Sequence, residues 1–128
     1  MRDIKMSKKE LIEIKDAPKP LGPYSPALKF ENLIFISGQI PDDINVSIET
    51  QTRQCLEKIK KQLIAAGVSM NNVIRCDVFL ENLDDFQKMN SVYAEFFNEP
   101  YPTRVTIGGV KIIKGAKIEI AAIAVINK

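Results

Sequence analysis

The sequence predicts an α+β domain, a mixed sheet with two helices packed on one of its faces. Three observations lead there. Short apolar runs bounded by proline, glycine and asparagine read as strands. Two longer stretches repeat their apolar residues at helical spacing. The elements follow the order β, β, β, α, β, α, β, β, which is not the strict alternation of a doubly wound sheet.

The first strand candidate is Leu11-Ile12-Glu13-Ile14. Residues 16–24 follow, with Pro18, Pro20, Gly22 and Pro23, and must be extended and turn-rich because proline stops both helix and ladder. Pro26 to Phe30 and Leu33 to Ser37 flank Glu31-Asn32 and read as a β-hairpin. Ser47 is a suitable N-cap for a helix whose stripe is Ile48, Cys55, Leu56, Ile59, Leu63 and Ala66, with Gly67 as its stop. Lys58, Lys60 and Lys61 read as its solvated face. Residues 73–80 form a strand with Ile74, Cys76, Val78 and Leu80 on one side. Asn82 or Asp84 caps a second helix, expected to run to Phe97, with the stripe Phe86, Met89, Asn90, Tyr93, Phe96 and Phe97. Thr103 opens a strand to Val110, within which Gly108-Gly109 suggests a bulge or a close backbone approach. Lys114-Gly115 turns the chain into a last strand over 117–126. Two helices cover one sheet face; with no third helix, the other face calls for another subunit.

Composition narrows the chemistry. At 128 residues the chain fits one domain, expected over 8–128, with residues 1–7 as a flexible extension ahead of it. There is no histidine, so imidazole cannot act as base, proton shuttle or metal ligand, which removes Ser-His-Asp and Cys-His catalysis and the HExxH zinc site. A net charge of +2 and no basic stripe interleaved with aromatics argue against nucleic acid as partner. Cys55 and Cys76 form no CxxC and no metal spacing, and read as reduced thiols. No run of apolar residues is long enough to span a bilayer, and the first six residues hold no apolar export core, so a cytoplasmic location is expected.

Few residues remain for chemistry. Arg104 follows a double-proline loop and alternates away from Val105 and Ile107; its fork suits a small carboxylate, or a structural ion pair. Glu119 shares a strand face with Ala121, Ile123 and Val125, where a carboxyl is either paired or poised for acid–base work. Asn90 interrupts an apolar helix stripe and needs partners from backbone or ligand. Tyr24 sits between prolines as a packing anchor or a rigid pocket wall. Ser37-Gly38-Gln39 closes a strand, where Gly38 serves either a turn or an approaching ligand.

These segments together resemble the RidA family, also known as the YjgF or endoribonuclease L-PSP family. The carrying stretches are Gly22-Pro23-Tyr24-Ser25, Ile36-Ser37-Gly38-Gln39-Ile40-Pro41, Gln51-Thr52-Arg53-Gln54, Ala65-Ala66-Gly67, Asn90-Ser91-Val92-Tyr93, Pro102-Thr103-Arg104 and Lys117-Ile118-Glu119-Ile120. Val105, Gly108 and Ala121 depart from the residues usual at their places. The resemblance implies a chorismate-mutase-like fold and a homotrimer with a central barrel and clefts between subunits. It implies hydrolysis of 2-aminoacrylate-type enamines and 2-imino acids, released by pyridoxal-phosphate enzymes, to 2-keto acids and ammonia, without a cofactor. By the same resemblance Arg104 clamps the substrate carboxylate, Glu119 orients or activates water, and Tyr24, Ser37, Gly38 and Asn90 line or order the cleft. The competing readings are a non-catalytic binder of small carboxylates, an endoribonuclease or translation inhibitor, and a chorismate mutase, which needs more cations than one arginine.

Overall fold

The computed structural model describes residues 8–127; the expected extension over 1–7 lies outside them. Six strands form one sheet: β1 (Glu10–Leu11), β2 (Ala27–Phe30), β3 (Leu33–Gln39), β4 (Val73–Leu80), β5 (Thr103–Gly108) and β6 (Ile118–Val125). Two helices, α1 (Ile48–Ala65) and α2 (Phe86–Tyr93), complete it. The sheet order is β1-β2-β3-β6-β4-β5, with β4 and β5 parallel and every other pair antiparallel. Parallel neighbours need a crossover, and α2 lies within that crossover. The expected mixed sheet and two helices are therefore present.

Helix α1 starts where the hydroxyl of Ser47 accepts a hydrogen bond from Thr50 N at 3.1 Å. It ends in a Schellman turn: Gly67 N–H donates to Ile64 O and Val68 N–H to Leu63 O, both at 3.0 Å, with Gly67 at φ +82°. Its stripe of Ile48, Cys55, Leu56, Ile59 and Leu63 is buried against β6 and β3. The opposing sheet residues are Ile118, Ile120, Ala122 and Ala124 of β6 with Cys76, Val78 and Leu80 of β4, all buried.

Sequence and structure differ in several local respects. Asn82 caps the 3-10 turn Leu83–Asp85, accepting from Asp84 N at 2.9 Å, and not α2 itself, whose N-cap is Asp85 without a side-chain bond. β1 is only Glu10–Leu11, not 11–14: Ile12 N–H still bonds Ala27 O, but the antiparallel register then brings Glu13 level with Pro26, which has no N–H to give. Ile74 points away from the helices and is 46% exposed, because β4 carries one extra residue between Val73 and Arg75; this bulge puts Val73 in the core instead. Helix α2 stops at Tyr93, not Phe97, because Glu95 and Phe96 bond three residues back, to Val92 and Tyr93, and the last turn tightens. β5 ends at Gly108, two residues early, with Gly109 at φ +77°; the close approach expected there is Leu83, packed on Gly108.

The loop between β3 and α1 is pinned from two sides. Lys58, read above as solvated, donates to Ile40 O at 2.7 Å and pairs with Asp42 at 2.8 Å. Gln51 is fully buried and fully used: its amide N–H groups donate to Ile44 O and Val46 O, each at 3.1 Å, and its oxygen accepts from Lys117 N at 2.9 Å. One side chain thus ties this loop to the start of β6.

The sheet face away from the helices is open in the single chain. Phe35, Val105 and Ile107 are each about 40% exposed there, beside half-buried Ala121, Ile123 and Val125. Such an apolar surface marks an interaction face.

Candidate functional site

Arg104 is the second residue of β5, level with Cys76 of β4, which is in turn level with Ala122 of β6. Neighbours in register share a face, so Arg104 projects to the helix side at the sheet edge. Its guanidinium carbon lies 4.8 Å from the centre of the Tyr93 ring and 5.6 Å from that of Phe86. Both rings come from the inner stripe of α2, where Phe86, Asn90 and Tyr93 follow at helical spacing. No carboxylate pairs with Arg104 among the described residues; their ion pairs are Arg53–Glu95, Lys58–Asp42 and Arg75–Asp77. The structural ion pair that the sequence left open for Arg104 is therefore not there.

Two polar atoms of the same helix stripe are buried: Asn90 Oδ1, which has no hydrogen-bond partner, and the Tyr93 hydroxyl, whose side-chain partner is the Cys76 thiol. Burial raises the tyrosine, so it is a neutral phenol. Burial likewise pushes the Cys76 thiol up to about 11 and that of Cys55 to about 12. Burial thus favours the protonated form of both thiols.

Glu119 occupies the other face. It is level with Phe79, and Phe79 with Ile107, which is three residues from Arg104 and so on the opposite side of β5. Its carboxyl lies over Gly38: a Cβ added there would sit 2.5 Å from Glu119 Oε2 and 2.7 Å from its Cδ. Glycine at 38 is thus the condition for this placement. Burial raises the Glu119 carboxyl above its ordinary value.

Ser37 and Tyr24 belong to the Glu119 side by connectivity. Ser37 Oγ donates to Ser25 O at 2.6 Å and Ser37 N to Pro26 O at 2.9 Å, which fastens the proline-rich segment to β3 next to Gly38. Tyr24, just before, is 46% exposed and bonds Gly22 O through its N–H. The six candidates therefore fall into two groups, Arg104 with Asn90 and Glu119 with Gly38, Ser37 and Tyr24. The groups do not meet within one chain. Phe86 and Tyr93 escaped the sequence reading because a helix stripe looks the same whether it fills a core or carries a cation; the asparagine at 90, between them, was the available signal.

Neither of two surface concavities near the end of α2 holds these residues. One of about 310 Å³ is lined by Met70, Phe97, Pro100 and Pro102, and one of about 440 Å³ by Arg53, Lys60, Glu95 and Asn98. The cation Arg53 is already paired with Glu95 at 3.0 Å, so these grooves present less chemistry than the open edge at Arg104. No group of three His, Cys, Asp or Glu that suits a metal occurs among the described residues, and no helix among them is long and apolar enough to cross a membrane.

A family model described as endoribonuclease L-PSP matches residues 14–126. A RutC family protein of Pyrococcus horikoshii is 50% identical over 122 residues, 91% of this chain and 97% of that protein. A protein of Dermatophagoides farinae named 2-iminobutanoate/2-iminopropanoate deaminase is 35% identical over 128 residues, 95% of this chain and 100% of that protein. Among solved structures, Escherichia coli TdcF with bound serine superposes with a TM-score of 0.84 at 37% identity, over 92% of this chain and 99% of that one.

Proposed function

Because the chain belongs to the endoribonuclease L-PSP family, which includes the RidA and RutC proteins, we propose that it is a deaminase of reactive 2-imino acids. The substrates are 2-iminopropanoate, formed from 2-aminoacrylate, and 2-iminobutanoate; the products are the 2-keto acid and ammonia. The observation that carries this reading is the unpaired Arg104 guanidinium, held against two rings with its N–H edge free for a carboxylate. The relative named for this activity and the relative with bound serine, a small amino acid, support it.

In this reading three copies form a homotrimer around a central barrel made from the open sheet faces, each copy contributing one domain over 8–128. Arg104 of one copy and Glu119 of the next then line one cleft, with Asn90 on the first side and Tyr24, Ser37 and Gly38 on the second. Arg104 fixes the substrate carboxylate and so the imine carbon. Glu119 takes a proton from water as its oxygen attacks that carbon. That proton passes to the nitrogen to give a carbinolamine; its hydroxyl proton then moves to the same nitrogen through Glu119 as the carbon–nitrogen bond breaks, releasing ammonia and leaving the carbonyl. Imine hydrolysis is intrinsically easy, so positioning and one proton-handling group suffice, and no cofactor is required. The cytoplasmic location expected from the sequence is part of the same proposal.

The test couples the purified protein to a pyridoxal-phosphate dehydratase acting on threonine or serine and times keto-acid release. Faster release with wild-type protein, lost with Arg104→Ala, is expected. Unchanged release with folded protein would favour the non-catalytic carboxylate binder.

A further inference from the structure

We infer that Tyr93 and Phe86 are positioning residues for carboxylate recognition: their rings hold the Arg104 guanidinium in its binding attitude before substrate arrives. This deepens the deaminase reading and rests on it for the identity of the ligand.

Arg104 stands on an edge strand, half-buried, with no acidic partner among the described residues. An arginine so placed would ordinarily sample many rotamers, and ordering it on binding costs affinity. Here the planar group rests 4.8 Å from one ring centre and 5.6 Å from another. Stacking uses the face of the guanidinium and leaves its N–H edge for a bidentate carboxylate. The Tyr93 ring is itself immobile: it is 5% exposed, packs against Phe97 at 4.6 Å between ring centres, and turns its hydroxyl to Cys76, the residue level with Arg104 on the next strand. The hydroxyl is directed to the Cys76 thiol and it is the ring that lies against the guanidinium, so the ring, not the oxygen, is the working part. Phe86 follows the 3-10 turn Leu83–Asp85, which fixes its approach to Arg104 from the other end of α2.

The experiment measures calorimetric binding of 2-oxobutanoate, and of its neutral amide 2-oxobutanamide, to the full-length protein. Wild type is expected to prefer the acid. Tyr93→Leu and Phe86→Leu are each expected to weaken the acid by about three- to thirty-fold, the range of a partly desolvated cation–π contact, and to leave the amide unchanged. Tyr93→Phe, which keeps the ring, should bind the acid within about twofold of wild type. Equal weakening of acid and amide would mean general damage to the cleft and would overturn the inference. So would unaltered acid binding in both leucine variants, or a Tyr93→Phe loss as large as that of Tyr93→Leu. Should Tyr93→Leu not fold, Phe86→Leu with Tyr93→Phe decides the matter by the same criteria. Wild type that binds the acid selectively but does not hasten imine loss would sink the deaminase reading while the ring variants still test the stack. Wild type that binds neither ligand overturns both.

Discussion

Replacing Gln51 by leucine should destabilise the protein by about 2–3 kcal/mol although it puts a good helix former of similar volume into a buried helical site. The figure follows from the bonds removed. Gln51 makes three, to Ile44 O, to Val46 O and from Lys117 N, at 3.1, 3.1 and 2.9 Å. Each such bond is worth about 1 kcal/mol net, and a donor left buried and unmade costs about 1–3 kcal/mol. Val46 O keeps a bond from the Lys117 ammonium at 3.2 Å, and the loop at Ile44 can take up water, so the heaviest loss is the Lys117 N–H at the entrance to β6. Urea denaturation at fixed protein concentration, followed by circular dichroism, measures the difference, with an unchanged slope showing that the same surface unfolds. Glu119 lies two residues beyond Lys117, so imine hydrolysis should fall several-fold in the same variant at temperatures where it remains folded. A loss below about 1 kcal/mol would refute the reasoning, because it would mean that the buried amide is dispensable to the loop it joins.

Further expectations concern the Glu119 side. Gly38→Ala should cut deaminase activity about tenfold or more while costing the fold under about 2 kcal/mol, since the clash is with a side chain that can swing aside and only catalysis depends on where it points; steady-state rates and thermal melts on one preparation separate the two. Glu119→Gln should lower the rate by about 100-fold or more, the usual worth of a proton-handling group. If the ionised Glu119 is the base, as proposed, the wild-type rate should rise with pH through a limb above the ordinary glutamate range, because burial raises this carboxyl. Stability runs the other way. A raised folded-state value favours folding below the unfolded glutamate range, and that contribution is lost as pH rises through the folded value. Glu119→Gln should therefore melt higher than wild type at pH 7–8 by no more than about 1 kcal/mol, the group being only half-buried, and the gap should close near pH 4. A variant less stable than wild type at pH 8 would contradict this sign.

Much of this molecule was legible in the sequence, and most of the exceptions share a cause; the early end of α2 at Tyr93, set by its own tightened last turn, is a separate one. Caps and stops are local, so Ser47 and Gly67 mark α1 correctly. Strand parity is also local, so Arg104 was correctly set apart from Val105 and Ile107, and Glu119 grouped with Ala121 and Ile123. Whatever depended on a neighbouring strand was not legible. The bulge that sends Ile74 outward exists only in the β4–β6 register. The early end of β1 depends on which residue stands opposite, a proline. Gln51 reads as an ordinary helix glutamine until the carbonyls of a loop and an amide of β6 converge on it. The separation of Arg104 from Glu119 is of this kind too, since parity along each strand is silent about whether the two faces agree until β5, β4 and β6 are set side by side. The unpaired guanidinium could not be read either, because no sequence pattern reports that an ion pair is missing.

That separation supplies the most direct test of the account. Arg104 and Glu119 lie on opposite faces of one sheet, so a site that uses both must take them from different copies. Arg104→Ala and Glu119→Gln proteins, each inactive alone, should regain activity when unfolded together in equal amounts and refolded. In a ring of head-to-tail interfaces about one quarter of all the sites carry both intact residues, so about a quarter of wild-type deaminase activity is expected. Mixed oligomers, verified by native mass spectrometry, that remain as inactive as either parent would contradict the shared site.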